Sequence, residues 1–295
     1  MSAAASVRRA GADLLPATPR RVRIGMPQLD PGGLSEGWLY RHCGDLHWEA
    51  IGRELGVTSD GFRGEGGDRL YPTVVALRAR YGAPLADVRE NDVLDADVRV
   101  TPCGRACAHG RLGLSAAGQT SSVELVTTFA VHDRRAGTLR MAVPAPELAA
   151  RWRPLADPPA LVRLAKAARA GLLLEDGDRP LGVWTLEPSP YADYNGAGLL
   201  YFAAYPTLAD TAERKLVSQL SPAPGQGVEW ATATSVVARD VFFYANLPLG
   251  ESLVAQLMSF ERRGDSVKTH VRLLRARGAI RMADLVTERR FVRQP

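Results

Sequence analysis

The chain has 295 residues, 46% hydrophobic and 23% charged, a balance that suits a globular protein with one large or two small domains. Its three cysteines are too few and too odd in number for a disulfide framework, which favours a reducing cytoplasm. The net charge of +5 rests almost wholly on arginine, since only Lys166, Lys215 and Lys268 are lysines; without a helix-turn-helix, zinc finger or basic–aromatic stripe it does not indicate nucleic-acid binding, and it equally suits an acidic protein partner or a phosphorylated ligand.

Residues 1–21 are basic but lack the apolar run of a secretory signal, and are read as a loosely ordered arm. No apolar stretch of ~18 residues occurs, so no membrane helix is expected. A first unit spans 22–144. It opens with a short strand (VRIGMP), turns through Asp30-Pro31-Gly32-Gly33 and enters a helix from about Leu34 to Leu55. Leu34, Trp38, Leu39, Leu46 and Ile51 recur at helical spacing and form an apolar stripe. After a glycine-rich loop (SDGFRGEGGDR), strands are predicted near 70–81, 93–101, 105–114 and 121–132. In the last of these Val123, Leu125, Thr127, Phe129 and Val131 alternate with mostly polar residues.

A connector rich in Pro, Ala and Arg follows at 145–180, with a helix predicted near 159–170. Arg163, Lys166 and Arg169 share one face of it, a pattern that is usually only a solvated face. A second unit, 181–295, repeats the order: a strand (LGVWTL), a glycine-rich turn at Asn195 running into an apolar, aromatic helix, and strands near 229–239, 241–247, 251–262, 266–275 and 279–292. An offset of about 160 residues sets Tyr71 against Trp230, Thr73 against Thr232 and Arg80 against Arg239. A long helix followed by consecutive antiparallel strands is not a βαβ pattern. It predicts an α+β fold of two hot-dog units, each a helix wrapped by an antiparallel sheet. Neither unit buries its apolar face alone, so the two should join as a pseudo-dimer, with ligand sites where each helix start meets the other unit.

Several motifs bear on chemistry. Gly33-Leu34-Ser35-Glu36-Gly37 fits G-x-S-x-G, yet a nucleophile elbow needs a parallel sheet around it, and too little chain precedes this one. A helix start is the better reading of Ser35. The glycines there, and Gly196 and Gly198 after Asn195, could still offer bare backbone N–H groups to a carbonyl or enolate oxygen. Asn195 suits an N-cap. Asp193 and Asn195 match acidic and amide positions of hot-dog thioesterases, but the usual histidine between them is absent. Tyr71 stands before Pro72 at a strand start, which pins its backbone extended; a core tyrosine is the alternative. Cys103, Cys107 and His109 lack zinc-site spacing, and no metal is expected. His47 with Asp45 or Glu49 could form an acid–base pair, although a satisfied histidine is the commoner outcome. No nucleotide, pyridoxal or biotin motif is present, so no cofactor is called for.

In combination, GMPQL, GLSE-x-WL, CGDLHW, RLYPT, EN and NGAGLLYFAAYP resemble the double hot-dog acyltransferase/decarboxylases of polyketide assembly lines, the leinamycin-pathway enzyme among them, over about residues 22–292. The resemblance implies a cytoplasmic enzyme that takes methylmalonyl-CoA, releases carbon dioxide and delivers propionyl to the phosphopantetheine thiol of an acyl carrier protein, with coenzyme A entering as substrate rather than cofactor. It places Tyr71 at the position held to carry acyl transfer. An aromatic pocket of Trp38, Tyr201, Phe202 and Tyr205 would desolvate the leaving carboxylate. A phenol is a weak nucleophile, so Tyr71 could instead protonate the enolate. A dehydratase or thioesterase on carrier-bound substrates, a non-catalytic acyl-binding partner, transfer without decarboxylation and a homodimer all remain open. The divergence of the two copies predicts a single working site.

Overall fold

The computed structural model describes residues 20–133, 138–174, 179–220, 230 and 232–291. Most of the predicted N-terminal arm therefore lies outside the described residues, while Arg20 and Arg21 belong to an edge strand, β1 (Arg20–Arg23). A minimal hairpin of β2 (Leu29–Asp30) and β3 (Gly33–Leu34) leads into α1 (Glu36–Leu55), whose buried side includes Leu39, Tyr40, Leu46 and Ile51. The chain then forms β4 (Tyr71–Tyr81), β5 (Val93–Gly104), β6 (Cys107–Ala116), β7 (Gln119–Asp133) and the short β8 (Thr138–Met141). The connector holds α2 (Pro146–Ala149) and α3 (Ala160–Arg169). Beyond it come β9 (Gly182–Leu186), α4 (Ala204–Leu220), β10 (Thr234–Phe243), β11 (Leu253–Arg263), β12 (Ser266–Arg275) and β13 (Ile280–Phe291).

One antiparallel sheet of eleven strands carries all of this, in the order β1-β5-β6-β7-β4-β10-β13-β12-β11-β9, with β8 added beside β7. Read inward from either edge the order is the same: a short edge strand, the three strands that end the half, then the strand that follows its helix. The halves join where β4 pairs with β10, Arg80 opposite Ala238 through Ala76 opposite Phe242. Both junction strands carry a bulge, between Val74 and Ala76 in β4 and between Val236 and Ala238 in β10. This is the double hot-dog. Both long helices lie on one face and share a core with strands of both halves, Leu39, Tyr40 and Leu46 of α1 clustering with Leu77, Tyr205, Ala212, Val241 and Leu285. On the other face α3 covers the junction, with Leu161, Val162 and Ala168 against Ala76, Val126 and Phe242. A layer on each side of the junction removes its apolar side chains from water.

Five predictions need correction. The strands expected at 229–239 and 241–247 are one strand, β10, because Arg239 and Asp240 in its middle find partners within the fold rather than marking a break. The second helix starts at Ala204, not at the Asn195 turn. The bulges superpose Val75 on Val237, which brings Tyr71 level with Ala233 instead of Trp230; Trp230 packs in a corner against Phe260 and Phe291. Arg80 and Arg239, aligned in sequence, face opposite sides of the sheet, since Arg80 meets Asp240 and Arg239 meets Asp210 of α4. Finally, Cys103 and Cys107 are joined as a disulfide across the β5–β6 hairpin, and only Cys43 is free and buried. His109 bonds Glu124, so the Cys103, Cys107 and His109 trio does not form a ligand set.

Candidate active site

The two helix starts meet the opposite half in different ways. At one junction end lies a cavity of about 1310 Å³. The first half supplies Trp48, Tyr71, Thr73 and Thr128 to its wall, and the second half supplies Asn195, Leu200, Tyr201, Phe202, Tyr205 and Tyr244.

Tyr71 is the first residue of β4, opposite Ala130. Pro72 holds it extended, as sequence reasoning expected, and the Trp48 indole N–H donates to the Pro72 carbonyl at 3.0 Å. The Trp48 and Tyr71 rings lie 6.4 Å apart, and the Arg69 guanidinium stands 5.0 Å from the Tyr71 ring centroid, facing the negative quadrupole of the phenol ring. The phenol is thus held between an indole and a cation at the edge of the cavity.

Asn195 is not a helix cap. Its Oδ1 accepts the Ala197 and Leu199 N–H groups at 3.0 and 3.2 Å, and its own N–H donates to the Leu199 carbonyl at 3.0 Å. The side chain closes a tight turn on itself, as short amides do. Gly198, at φ +73°, takes the left-handed step that turn requires. Gly196 and Gly198 belong to this exposed turn and do not line the cavity, so the glycine-started helix N-terminus predicted here does not form. With Oδ1 occupied, the Nδ2 amide carries the donors left for a ligand. Asp193 accepts the Ser189 N–H at 2.7 Å and is likewise outside the cavity wall.

Tyr201 lies under the Arg41 guanidinium, 5.3 Å from its ring centroid. Burial, with Asp45 adding to it, pushes its hydroxyl up to about 12, against the pull of Arg41. Burial also raises the Tyr205 and Tyr244 hydroxyls. These phenols are neutral donors at any working pH. The Tyr205 hydroxyl already donates to the Ala245 carbonyl at 3.4 Å, which leaves Tyr201 as a neutral donor able to hold a carbonyl and stabilise negative charge developing on its oxygen. The hydrogen bonds His109–Glu124 and His270–Asp284, 2.8 Å each, are made on the face of the sheet that α3 covers; none of the four residues lines the cavity, although Asp284 neighbours the wall residue Tyr244. His47 is fully buried on Thr127 at 3.0 Å and is held down to about 3 by burial and by His109, so it is a neutral core residue without Asp45 or Glu49 as bonded partner.

At the other junction end the corresponding space is filled. Glu36, in the first turn of α1, accepts the Tyr40 and Tyr81 hydroxyls on Oε1 and the Arg239 Nη2 on Oε2 at 2.7 Å. The same Nη2 reaches both oxygens of Asp210 at 2.9 and 3.0 Å, although Arg239 is 0% exposed. Arg289 binds Asp210 at 2.5 Å and Glu213 at 3.0 Å, and the Thr269 hydroxyl donates to Glu213 at 3.1 Å. Burial pushes the Asp210 carboxyl up, but Arg239 and Arg289 outweigh it and hold the group below the usual carboxylate range.

Four residues predicted for substrate binding sit at this filled end. Gly33 has φ +101°, and a Cβ there would stand 2.2 Å from the Leu85 carbonyl oxygen, so the glycine serves backbone packing. Leu34 is buried beside a cleft of only about 30 Å³. Ser35 precedes α1 in an extended conformation, with no side-chain capping bond and no elbow around it. Trp38 stacks on His42, centroids 5.2 Å apart, outside the cavity. Of the predicted residues the structure brings Tyr71, Asn195, Tyr201, Phe202 and Tyr205 to one cavity, and Trp38 stays outside it; Trp48, Thr73, Thr128 and Tyr244 were missed. Nothing local in the sequence marks those four, which reach one space only through strand pairing across the junction.

Compared by sequence, the chain matches no family model and no curated protein. Compared by structure, it is similar to a protein assigned as an oleoyl thioesterase from Lactobacillus plantarum, with 15% identity over 97% of this chain and 99% of the other, at a TM-score of 0.65. It is also similar to the 12:0-ACP thioesterase of Umbellularia californica (11% identity, 93% and 97% covered, TM-score 0.58). An acyl-ACP thioesterase of Bacteroides thetaiotaomicron follows at 12% identity, 92% and 97% coverage and a TM-score of 0.56. At such identities the likeness establishes the double hot-dog fold over nearly the whole chain. Among the described residues no helix is long and apolar enough to cross a membrane.

Proposed function

We propose that this chain is an enzyme acting on acyl thioesters at the open junction end, with the acyl group presented on the phosphopantetheine thiol of coenzyme A or of an acyl carrier protein. The observation that carries this is that Tyr71 from one half and Asn195 from the other line the same aromatic cavity, in a fold shared with acyl thioesterases. Within that class we favour acyl transfer with decarboxylation, methylmalonyl-CoA giving a propionyl group on a carrier protein. Loss of carbon dioxide leaves the C–C electron pair as an enolate of the thioester. The Asn195 Nδ2 amide is the donor offered to the enolate oxygen, and the enolate carbon takes a proton, from the Tyr71 hydroxyl or from water, to become propionyl; the carrier thiol then displaces coenzyme A, which leaves as its thiol, either directly or after the Tyr71 oxygen has held the acyl group as an ester. The chemistry asks for no metal and no base strong enough to activate water.

Hydrolysis is the second reading, favoured by the likeness to thioesterases. Against it, the Asp193 carboxylate is bonded to the Ser189 N–H, Tyr194 stands between Asp193 and Asn195 in place of a histidine, and neither histidine–carboxylate pair described above lines the cavity. Intact-mass measurement of a carrier protein incubated with methylmalonyl-CoA and the chain separates the readings. A propionyl adduct supports transfer with decarboxylation, a methylmalonyl adduct removes decarboxylation, and free acid without adduct supports hydrolysis. Tyr71→Phe should lower the rate at least about a hundredfold; full activity removes Tyr71 from the mechanism.

A further inference from the structure

The cavity has a second chemical character that the thioester chemistry does not use. Its wall includes Lys166 and Arg169 from α3, Arg105 from the β5–β6 hairpin, Arg140 from β8 and Arg275 from β12, against the acidic residues Glu65 and Asp68. None of these five cations forms a salt bridge among the described residues. Arg169 donates to the Phe243 carbonyl at 3.1 Å and Arg275 to the Arg277 carbonyl at 3.0 Å, so both are oriented by neutral groups and keep their charge uncompensated. Arg163, on the same helix as Lys166 and Arg169, behaves differently. It is turned outward and paired with Asp157 at 3.0 Å. All three are solvent-exposed, but the basic run on α3 is divided: Arg163 is an ion pair, while Lys166 and Arg169 border the cavity without one.

We propose that these cations form a phosphate clamp on the solvent-facing wall of the cavity, with α3, which lies between the two halves in sequence, as its main contributor. The ligand chemistry is a phosphodiester or diphosphate at the far end of a flexible thiol-bearing arm, which is the common element of coenzyme A and a phosphopantetheinylated carrier protein. Like charges brought to one cavity wall from α3, β8, β12 and the β5–β6 hairpin repel one another, and a bound anion relieves that repulsion. Guanidinium groups suit phosphate because they donate in a planar fork. The clamp would anchor the arm while the acyl end lies among Tyr71, Asn195 and the aromatic floor. This inference rests on the thioester reading and deepens it.

Calorimetric titration of the full chain with coenzyme A, 4′-phosphopantetheine and pantetheine tests it without relying on turnover. Coenzyme A and phosphopantetheine should both bind at least roughly tenfold more tightly than pantetheine, and that advantage should shrink as salt is raised. Lys166→Gln/Arg169→Gln should remove most of the advantage and leave pantetheine affinity in place, while Arg169→Lys should retain much of it. Arg105→Gln, on another element, provides a second variant should the α3 pair impair folding. Equal binding of pantetheine and phosphopantetheine overturns the clamp but leaves the thioester reading standing. If none of the three binds, both fall. Tight binding of coenzyme A alone would overturn the shared-arm form and restrict the clamp to the nucleotide phosphates.

Discussion

The two ends of the β4–β10 junction occupy equivalent positions in a repeated fold, yet one is a cavity and the other is a block of ion pairs. Their helix surroundings differ accordingly. At the open end α4 begins late, after a turn closed by Asn195, which leaves Tyr201, Phe202 and Tyr205 to form a floor. At the filled end α1 begins directly after Ser35, and Glu36 reaches Arg239 within its first turn. A few residues of difference in where a helix starts thus decide whether a junction end holds a ligand or a structural network.

The largest effect is expected from Arg239→Met. It would leave Glu36, Asp210 and their neighbours as buried carboxylates without their common cation, at a cost of about 3–5 kcal/mol of folding stability. Denaturant unfolding would measure it, and a loss below about 1 kcal/mol would show that the filled end is not held by this residue. Next comes acid. Because the folded-state pKa of Asp210 is depressed, its contribution is present above the ordinary carboxylate pKa of about 4 and is lost as pH falls through the lower folded value. The unfolding midpoint should therefore drop more steeply below about pH 4 in the parent than in Asp210→Asn; parallel curves would refute that linkage.

At the open end, Asn195→Ala should lower turnover by roughly tenfold if the amide is a donor to developing charge. It also removes a turn-closing acceptor, so unfolding must be measured alongside, and an activity loss fully explained by unfolded protein would discard the catalytic role. The smallest effect belongs to Ser35→Ala, within about 0.5 kcal/mol in stability and without loss of turnover, since the hydroxyl makes no capping bond. A large rate loss there would move the working site to the filled end and reverse the comparison.

Much of the fold was legible because its signals are local. The stripe of α1 and the alternation of β7 and β12 follow from side-chain period alone, and those elements appear within a few residues of their predicted bounds. The misjudged places depended on distant partners. Arg239-Asp240 reads as a strand break until Asp210 on α4 and Arg78 on β4 are seen to neutralise the pair. The start of α4 was placed too early because Asn195 resembles a cap in sequence and is spent on its own turn in space. Tyr71 was found through its Tyr-Pro context and a family resemblance. Lys166 and Arg169 were seen, but their face could not be assigned before α3 was docked on the sheet.

The ion-pair block also bears on how such a chain can change over time. Glu36, Tyr40 and Tyr81 come from the first half, while Asp210, Arg239 and Arg289 come from the second. Had the halves been identical subunits, each substitution would have appeared at both ends at once, and closing one pocket would have closed its twin. Carrying both halves on a single polypeptide lets one end be sacrificed to rigidity while the other keeps its vacancy.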